Sequence, residues 1–597
     1  MPATSTTWSS IVYARVPALD SLRSYNLAHA RADLVAGLSV AAVAVPQAMA
    51  YALIAGLPVE YGLYTAIVMT TVGALLASSR QLINGPTNAI SIALLSAIGS
   101  FGGQDERIQA AVLIAFLVGA IQLAISVLRL GDLTRYISHS VIVGFTVGAS
   151  VLLVLDQTKN LFGLKAVGEV HDHFLYRFWL TVTHGGAAHG PTLAIGLASI
   201  ALVLALRWVK RKLGWPLLPE FLIVVVLMAA LTAALGLVEQ GVKVVGDIPA
   251  ALPSPRLPAL DAPSLRDLGG SALAIALLGL LEAISMAKAI AAVTGQRLDM
   301  NQQCLSEGVA NFTGSFFQCM PGSGSLTRSA INQQAGARTQ WSGVVSAVAV
   351  ALVMLVFAPY ARFIPRSALA GLLMLTAVRM VNLRDLRYHV RASRFDATIV
   401  AVTAVAAVAI SIEFCVLIGV FMSFLLAVPR TGRMLLTEFV VTASRSVRER
   451  RPEDEVCGRI LIFGLEGEMY FGSSASLEQH LDAIDARVIP ETQAVVLRLK
   501  RARNPDAVGM SLLEGCVDRL RARGIQVILC GIREGMFACM TNCGLAEKLG
   551  ANHVFLEQPV PLTSTVLAVR HAYDLVTNLC PTCPRREGVS PPLFYEI

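Results

Sequence analysis

The chain has 597 residues, 55% of them hydrophobic and only 15% charged, where soluble globular domains carry nearer a quarter. Composition therefore excludes an ordinary soluble protein and points to a polytopic membrane protein. The net charge of +8 comes from lysines and arginines spread between apolar runs, which excludes a nucleic-acid-binding protein with one basic patch.

Residues 1–33 are polar, carry Arg15, Arg23 and Arg31, and lack a small-residue cleavage site. They read as a cytoplasmic N-terminal segment and not as a cleavable signal peptide. From Leu34 to Val428 apolar runs recur, among them Ala110–Leu128, Leu193–Leu206, Phe221–Leu237, Ala272–Ile284 and Ala397–Val428. A span needs about 20 such residues, so 34–428 is predicted to be a membrane domain. Basic residues collect at Arg80, Arg129 and Arg135, Arg207–Lys212, Lys288 and Arg297, Arg338, and Arg379–Arg394. With about fourteen spans and the N-terminus inside, all of them face the cytoplasm, as the positive-inside rule requires. Glu60, Asp105, Glu106 and Glu239–Asp267 face the other side. The expected location is the cell inner (plasma) membrane, multi-pass.

Two breaks interrupt this domain. The first span contains Pro46-Gln47-Ala48-Met49-Ala50-Tyr51. Asn84-Gly85-Pro86-Thr87-Asn88 follows after about forty residues, and then a short apolar stretch to Gly99. In the second half, Leu280-Leu281-Glu282-Ala283 lies inside a span. Gly322-Ser323-Gly324-Ser325-Leu326-Thr327-Arg328 follows at a similar distance, then a short stretch to Gly336. Paired broken helices in corresponding halves mark a midplane binding site. Irregular backbone at membrane depth is tolerated only where it is buried in protein or lines a cavity, and an intramembrane arginine marks a functional site. Seven spans per half is odd, so the halves are predicted to be inverted.

Beyond the membrane domain, residues 429–455 read as a basic connector, with Arg430, Arg433, Arg445, Arg448, Arg450 and Arg451 suited to an anionic leaflet. Residues 456–577 alternate between strands (Arg459–Leu465, Ala494–Leu499, Gln526–Cys530) and helices (Ser476–Ala486, Gly509–Arg523, Gly535–Leu545), the pattern of a small α/β domain. Residues 578–597 read as a disordered tail. Its Cys580-Pro-Thr-Cys583 is the one CxxC among ten scattered cysteines; two ligands do not make a zinc site.

Arg31–Val68, RADLVAGLSVAAVAVPQAMAYALIAGLPVEYGLYTAIV, resembles the opening signature of the SulP (sulfate permease) anion transporters. Gly314–Thr339, GSFFQCMPGSGSLTRSAINQQAGART, resembles that family's segment across its ninth to eleventh helices. The α/β domain resembles the STAS domain of the same family, so the resemblance covers nearly the whole chain. It implies a polytopic α-helical membrane protein of about fourteen transmembrane helices in two inverted seven-helix repeats, divided into core and gate domains, plus a small cytoplasmic STAS domain. It also implies an elevator-like motion, a homodimer and no cofactor. Carried over residue by residue, it places an anion between a third helix starting at Pro86-Thr87-Asn88 and a tenth starting at Ser325-Leu326-Thr327. Gln47 and Tyr51 line the pocket, Arg328 is the basic group, and Glu282 is the acidic position linked to cation coupling.

The chemistry of these residues agrees. Each half-helix N-terminus presents free amides and about half a positive charge. Ser325 and Thr327 either donate to the anion or cap their helix. Arg328 either faces the anion or forms a permanent ion pair with Glu282. Gln47 and Tyr51 either line the site or pack the helix. The expected activity is secondary active transport of a small inorganic oxyanion, sulfate with a proton, with Glu282 as the proton-coupling carboxylate. Bicarbonate with sodium, C4-dicarboxylate transport, chloride exchange, and a channel or charge-moving motor share the scaffold. A membrane-anchored STAS regulator is the alternative of another class. It is disfavoured by Asp506-Ala507-Val508-Gly509, where Val508 stands in place of a phosphoacceptor. No nucleophile–base pair, Walker loop or metal cluster points to an enzyme or a metal site.

Overall fold

Apolar runs separated by proline, glycine and charged breaks dictate a set of helices, and that is what forms. The computed structural model describes residues 16–99, 101–131, 138–168, 172–214, 218–260, 262–410, 412–442, 446–560, 562–577 and 594–595. It divides into two units, Met1–Ser423 and Phe424–Ile597.

After a one-turn helix at Pro17–Ser21, the described helices up to residue 431 are α1 (Leu27–Ile54), α2 (Val59–Leu76), α3 (Asn88–Ile98), α4 (Gln104–Val127), α5 (His139–Phe162), α6 (Phe174–His184), α7 (Gly190–Leu213), α8 (Glu220–Ala234), α9 (Ala262–Thr294), α10 (Met300–Ser315), α11 (Leu326–Gln334), α12 (Trp341–Phe357), α13 (Arg366–Met380), α14 (Leu383–Ala392), α15 (Arg394–Ala409) and α16 (Ile412–Thr431). Among the described residues, eight helices are long and apolar enough to cross a membrane. The run Ala397–Val428, too long for one span, is divided between α15 and α16. In a bilayer, helices associate by close contact and not by a hydrophobic driving force, so small residues dominate the contact faces. Accordingly α1 buries Ala36, Ala41, Ala44, Ala48 and Ala52. It also contains Pro46, whose missing N–H frees the carbonyl of Ala42 one turn earlier. The buried carboxylate of Asp33 on α1 accepts from the Arg338 and Thr339 amides, anchoring the segment after α11.

Two short strands lie where the sequence breaks. β1 (Asn84–Gly85) pairs antiparallel with β2 (Ser323–Gly324), Asn84 opposite Gly324 and Gly85 opposite Ser323. Each strand leads directly into a short helix, β1 into α3 and β2 into α11.

In the second unit a seven-stranded sheet runs β8-β7-β6-β5-β3-β4-β9. Its strands are β3 (Leu435–Val441), β4 (Ser446–Glu449), β5 (Ile460–Glu468), β6 (Ala494–Arg503), β7 (Gln526–Ile532), β8 (Val554–Leu556) and β9 (Phe594–Tyr595). β5 to β8 are parallel and covered on both faces, as parallel sheets must be. Leu461, Phe463, Val495, Leu497, Val527 and Leu529 pack against α17 (Ser474–Arg487), α18 (Ala507–Ala522) and α19 (Glu534–Asn542). The alternate residues Ile460, Ile462, Ala494, Val496, Ile528 and Cys530 pack against α20 (Thr563–Leu575). The segment read as a basic connector carries β3 and β4, and two of its arginines are paired locally: Arg448 with Asp454 at 2.7 Å and Arg450 with Glu438 at 2.8 Å. Of the tail expected to be disordered, Phe594–Tyr595 pair with β4; Cys580 and Cys583 lie outside the described residues. Asp506 caps α18 through the Gly509 amide at 2.9 Å, and Val508 is exposed.

Candidate functional site

The antiparallel crossing of β1 and β2 sets two helix N-termini against each other. Ser325 N–H donates to Ile83 O at 2.9 Å, and Ser329 Oγ accepts from the Ile83 amide at 2.8 Å. α3 and α11 therefore leave the same point in opposite directions, with their free amides and positive dipole ends close together. α1 and α9 pack against both helices, which brings all nine sequence-predicted residues to this region.

Arg328 stitches the crossing together. It is 0% exposed and donates through Nη2 to Pro86 O at 2.8 Å, across from its own half-helix to the start of the other. Gly85 sits under this guanidinium with φ +141°; a Cβ there would lie 3.0 Å from Nη1. Only glycine satisfies both the backbone and the space. Nε and Nη1 of Arg328 have no partner among the described residues.

Thr87 is the N-cap of α3. Its Oγ1 accepts from the Ile90 amide at 3.4 Å and lies 3.0 Å from Glu282 Oε2, to which it donates. The carboxylate of α9 is thus tied to the first turn of α3. Among the described residues Glu282 and Arg328 form no ion pair. They sense each other's charge, but each is bonded elsewhere, so the permanent-pair alternative does not hold.

The other start is open. Ser325 is the N-cap of α11 but makes no cap bond. Leu326 is 56% exposed, so its contribution is its backbone amide, and Thr327 is half-buried. Gln47 and Tyr51 lie one turn apart on the same face of α1, both buried. Among the described residues neither polar atom of the Gln47 amide has a partner, and Tyr51 is within electrostatic reach of Arg328 and Glu282. Asn88 donates to Met380 Sδ at 3.0 Å and leaves Oδ1 unpartnered. Buried donors without protein partners are costly. Among the described residues, Nε and Nη1 of Arg328, beside two helix N-termini, and Nε2 of Gln47, on the helix packed against both, are donors without a partner.

Sequence reading missed the polar layer behind the crossing. Asn311 donates to Gln122 Oε1 at 3.0 Å and Gly322 O at 3.1 Å, and accepts from the Gly322 amide at 3.0 Å. Gln122 donates to Ala276 O at 3.1 Å. This ties β2 to α4, α9 and α10. Glu307 and Asn84 belong to the same layer. The available signal was Gln303, Glu307 and Asn311 at i, i+4, i+8 spacing in α10, a helix too polar to read as an ordinary span.

A family model described as the sulfate permease family matches residues 31–403, and a STAS domain model matches residues 451–558. The putative sulfate transporter YvdB of Bacillus subtilis (strain 168) is 28% identical, over 89% of this chain and 97% of that protein. High affinity sulfate transporter 2 of Stylosanthes hamata is 28% identical, over 90% of this chain and 84% of that protein. The solved structure of SLC26A9 superposes with a TM-score of 0.85 at 23% identity, over 95% of this chain and 94% of that one. The transmembrane domain of a cyanobacterium bicarbonate transporter, BicA, gives a TM-score of 0.57 at 22% identity, over 67% and 98%. At these identities the two solved structures speak for the fold alone.

Proposed function

Because this chain belongs to the sulfate permease family and carries a STAS domain, a family of membrane transporters and not of enzymes, we propose that it is a secondary active transporter that moves sulfate together with a proton. The observation that carries this reading is the meeting of two half-helix N-termini at the β1–β2 crossing, with unpartnered donors on Arg328 and Gln47 beside them. A dehydrated oxyanion needs several directed donors, and here they come largely from neutral amides and one guanidinium. Sulfate is favoured because the relatives of this chain across most of its length are named as sulfate transporters. Glu282 is the coupling group. Its Thr87 bond ties its protonation state to the start of α3, and its neighbours Ala283 and Ser285 offer few oxygen ligands for sodium.

Fourteen of the helices α1–α16, all but the strongly amphipathic α6 and α14, form two inverted sets of seven: α1–α5, α7 and α8, then α9–α13, α15 and α16. α1–α4 and α9–α12 make the core that carries the site. The remaining helices make the gate, past which the core moves in an elevator-like cycle. The protein works as a homodimer in the inner membrane, with its STAS domain (456–577) in the cytoplasm as a dimerisation and trafficking module.

The test is radiolabelled sulfate uptake into proteoliposomes at two imposed pH gradients, with bicarbonate, chloride and succinate as competitors. Saturable uptake that rises with external acidity supports the proposal. Absence of sulfate flux, or stronger competition by another anion, overturns the substrate.

A further inference from the structure

The core holds a second acid that the transport scheme does not use. Glu307, on α10, is 0% exposed. Its Oε1 accepts from Gln303 Nε2 at 3.1 Å, and its Oε2 has no partner among the described residues. Among the described residues no lysine, arginine or histidine pairs with it, and the charged group it senses is Glu282, of its own sign. An ionised carboxylate in this setting is strongly disfavoured. Within side-chain hydrogen-bonding reach of it lies Asn84, also buried, whose Nδ2 and Oδ1 complete no well-formed bond among the described residues. Asn84 is held in place from other directions. Its carbonyl accepts from Thr70 Oγ1 at 2.6 Å, its backbone pairs with Gly324, and Gly73 leaves room for its amide, since a Cβ there would come within 2.4 Å of Nδ2.

One proton satisfies all three orphaned atoms. We propose that Glu307 is a permanently neutral carboxylic acid that clamps Asn84, donating from Oε2–H to Asn84 Oδ1 while Oε1 accepts from Asn84 Nδ2. An acid and a primary amide are complementary in this two-bond arrangement, and Oε1 has a second lone pair for Gln303. Glu282 and Glu307 then grip the same four residues, Glu282 through Thr87 and Glu307 through Asn84. Glu282 exchanges its proton during transport, whereas Glu307 keeps its own and acts as a positioning residue for the anion site.

This assignment rests on the transport reading for its uptake assay but not for its spectroscopy. The experiment is infrared spectroscopy of the purified full chain in an E282Q background, which removes the acid at the anion site, compared with E282Q/E307Q. A protonated-carboxyl carbonyl band that persists from acidic to mildly alkaline pH and vanishes with E307Q is the expected result. No such band, or one that titrates away across this range, overturns the clamp. In sulfate uptake, E307Q presents an amide that makes the same two bonds, so KM, maximal rate and pH profile stay within about twofold of wild type. E307A, which cannot bond Asn84, raises KM by on the order of tenfold with less effect on maximal rate. A shifted pH profile in E307Q overturns the proposal, because it makes Glu307 a proton carrier. If wild type shows no sulfate uptake, the transport reading fails while the infrared result still decides the clamp.

Discussion

The two half-helix starts are built alike in backbone and differently in side chains. α3 begins closed: Thr87 caps its first turn and holds Glu282. α11 begins open: Ser325 makes no cap bond and Leu326 projects outward. Arg328 links the two by reaching from the open start to a carbonyl of the closed one. The difference separates two tasks in one pseudo-symmetric motif. In the proposed cycle the closed start holds the titratable group of α9 through Thr87, and the open start leaves donors for the anion.

The most severe way to break this comparison is to remove the link. Arg328→Ala strands the Pro86 carbonyl and deletes the buried cation of the crossing, so sulfate uptake should fall by roughly a hundredfold or more in protein that still elutes as a single species. Glu282→Gln should preserve sulfate exchange but lower the accumulation driven by an inward proton gradient by about tenfold, because the amide keeps a partner for Thr87 yet carries no exchangeable charge. Uptake that retains full gradient dependence in this variant removes Glu282 from the coupling role.

A finer contrast comes from the two N-caps. Thr87→Val loses a cap bond worth about 1 kcal/mol and should lower the melting temperature. Ser325→Ala loses no bond within the protein, so the melting temperature should hold while KM for sulfate rises several-fold, about threefold to tenfold. The opposite pattern, with stability lost at Ser325 and not at Thr87, reverses the assignment of open and closed starts.

The smallest effect is expected far from both. Asp454 is held below the usual carboxylate range by the Arg448 guanidinium bonded to it, and by the Arg451 amide. A depressed folded-state pKa contributes stability that is present above the ordinary aspartate value and lost as pH falls through the folded one. Asp454→Asn should therefore lower the melting temperature slightly at neutral pH and leave it unchanged in strong acid, with no change in sulfate KM.

What the sequence made legible follows from what costs most in a membrane. Glycine, proline and a charge inside apolar runs are expensive, so Gly85-Pro86-Thr87, Gly322–Arg328 and Glu282 stood out before any coordinates. The partner of Arg328 did not. A backbone carbonyl has no sequence signature, and the pairing of Arg328 with Pro86 instead of Glu282 depends on the β1–β2 register. Glu307 was hidden for a related reason, since a polar residue is read as solvent-facing unless its neighbours are apolar, and α10 is rich in amides; Asn84 stood in the first break, but its nearness to Glu307 has no sequence signature. In the STAS domain, β5, β6 and β7 announced themselves as β-branched runs, whereas the arginines of 429–455 masked β3 and β4, whose charges are neutralised by Asp454 and Glu438.

The central claim is that anion and proton move together through the site at this crossing. The most direct test is to impose an inward sulfate gradient on proteoliposomes, with no pH gradient and the membrane voltage clamped, and to read luminal pH with an entrapped dye. The account predicts that wild-type protein acidifies the lumen in proportion to sulfate uptake and that Glu282→Gln does not. Sulfate uptake by wild-type protein without luminal acidification would contradict it.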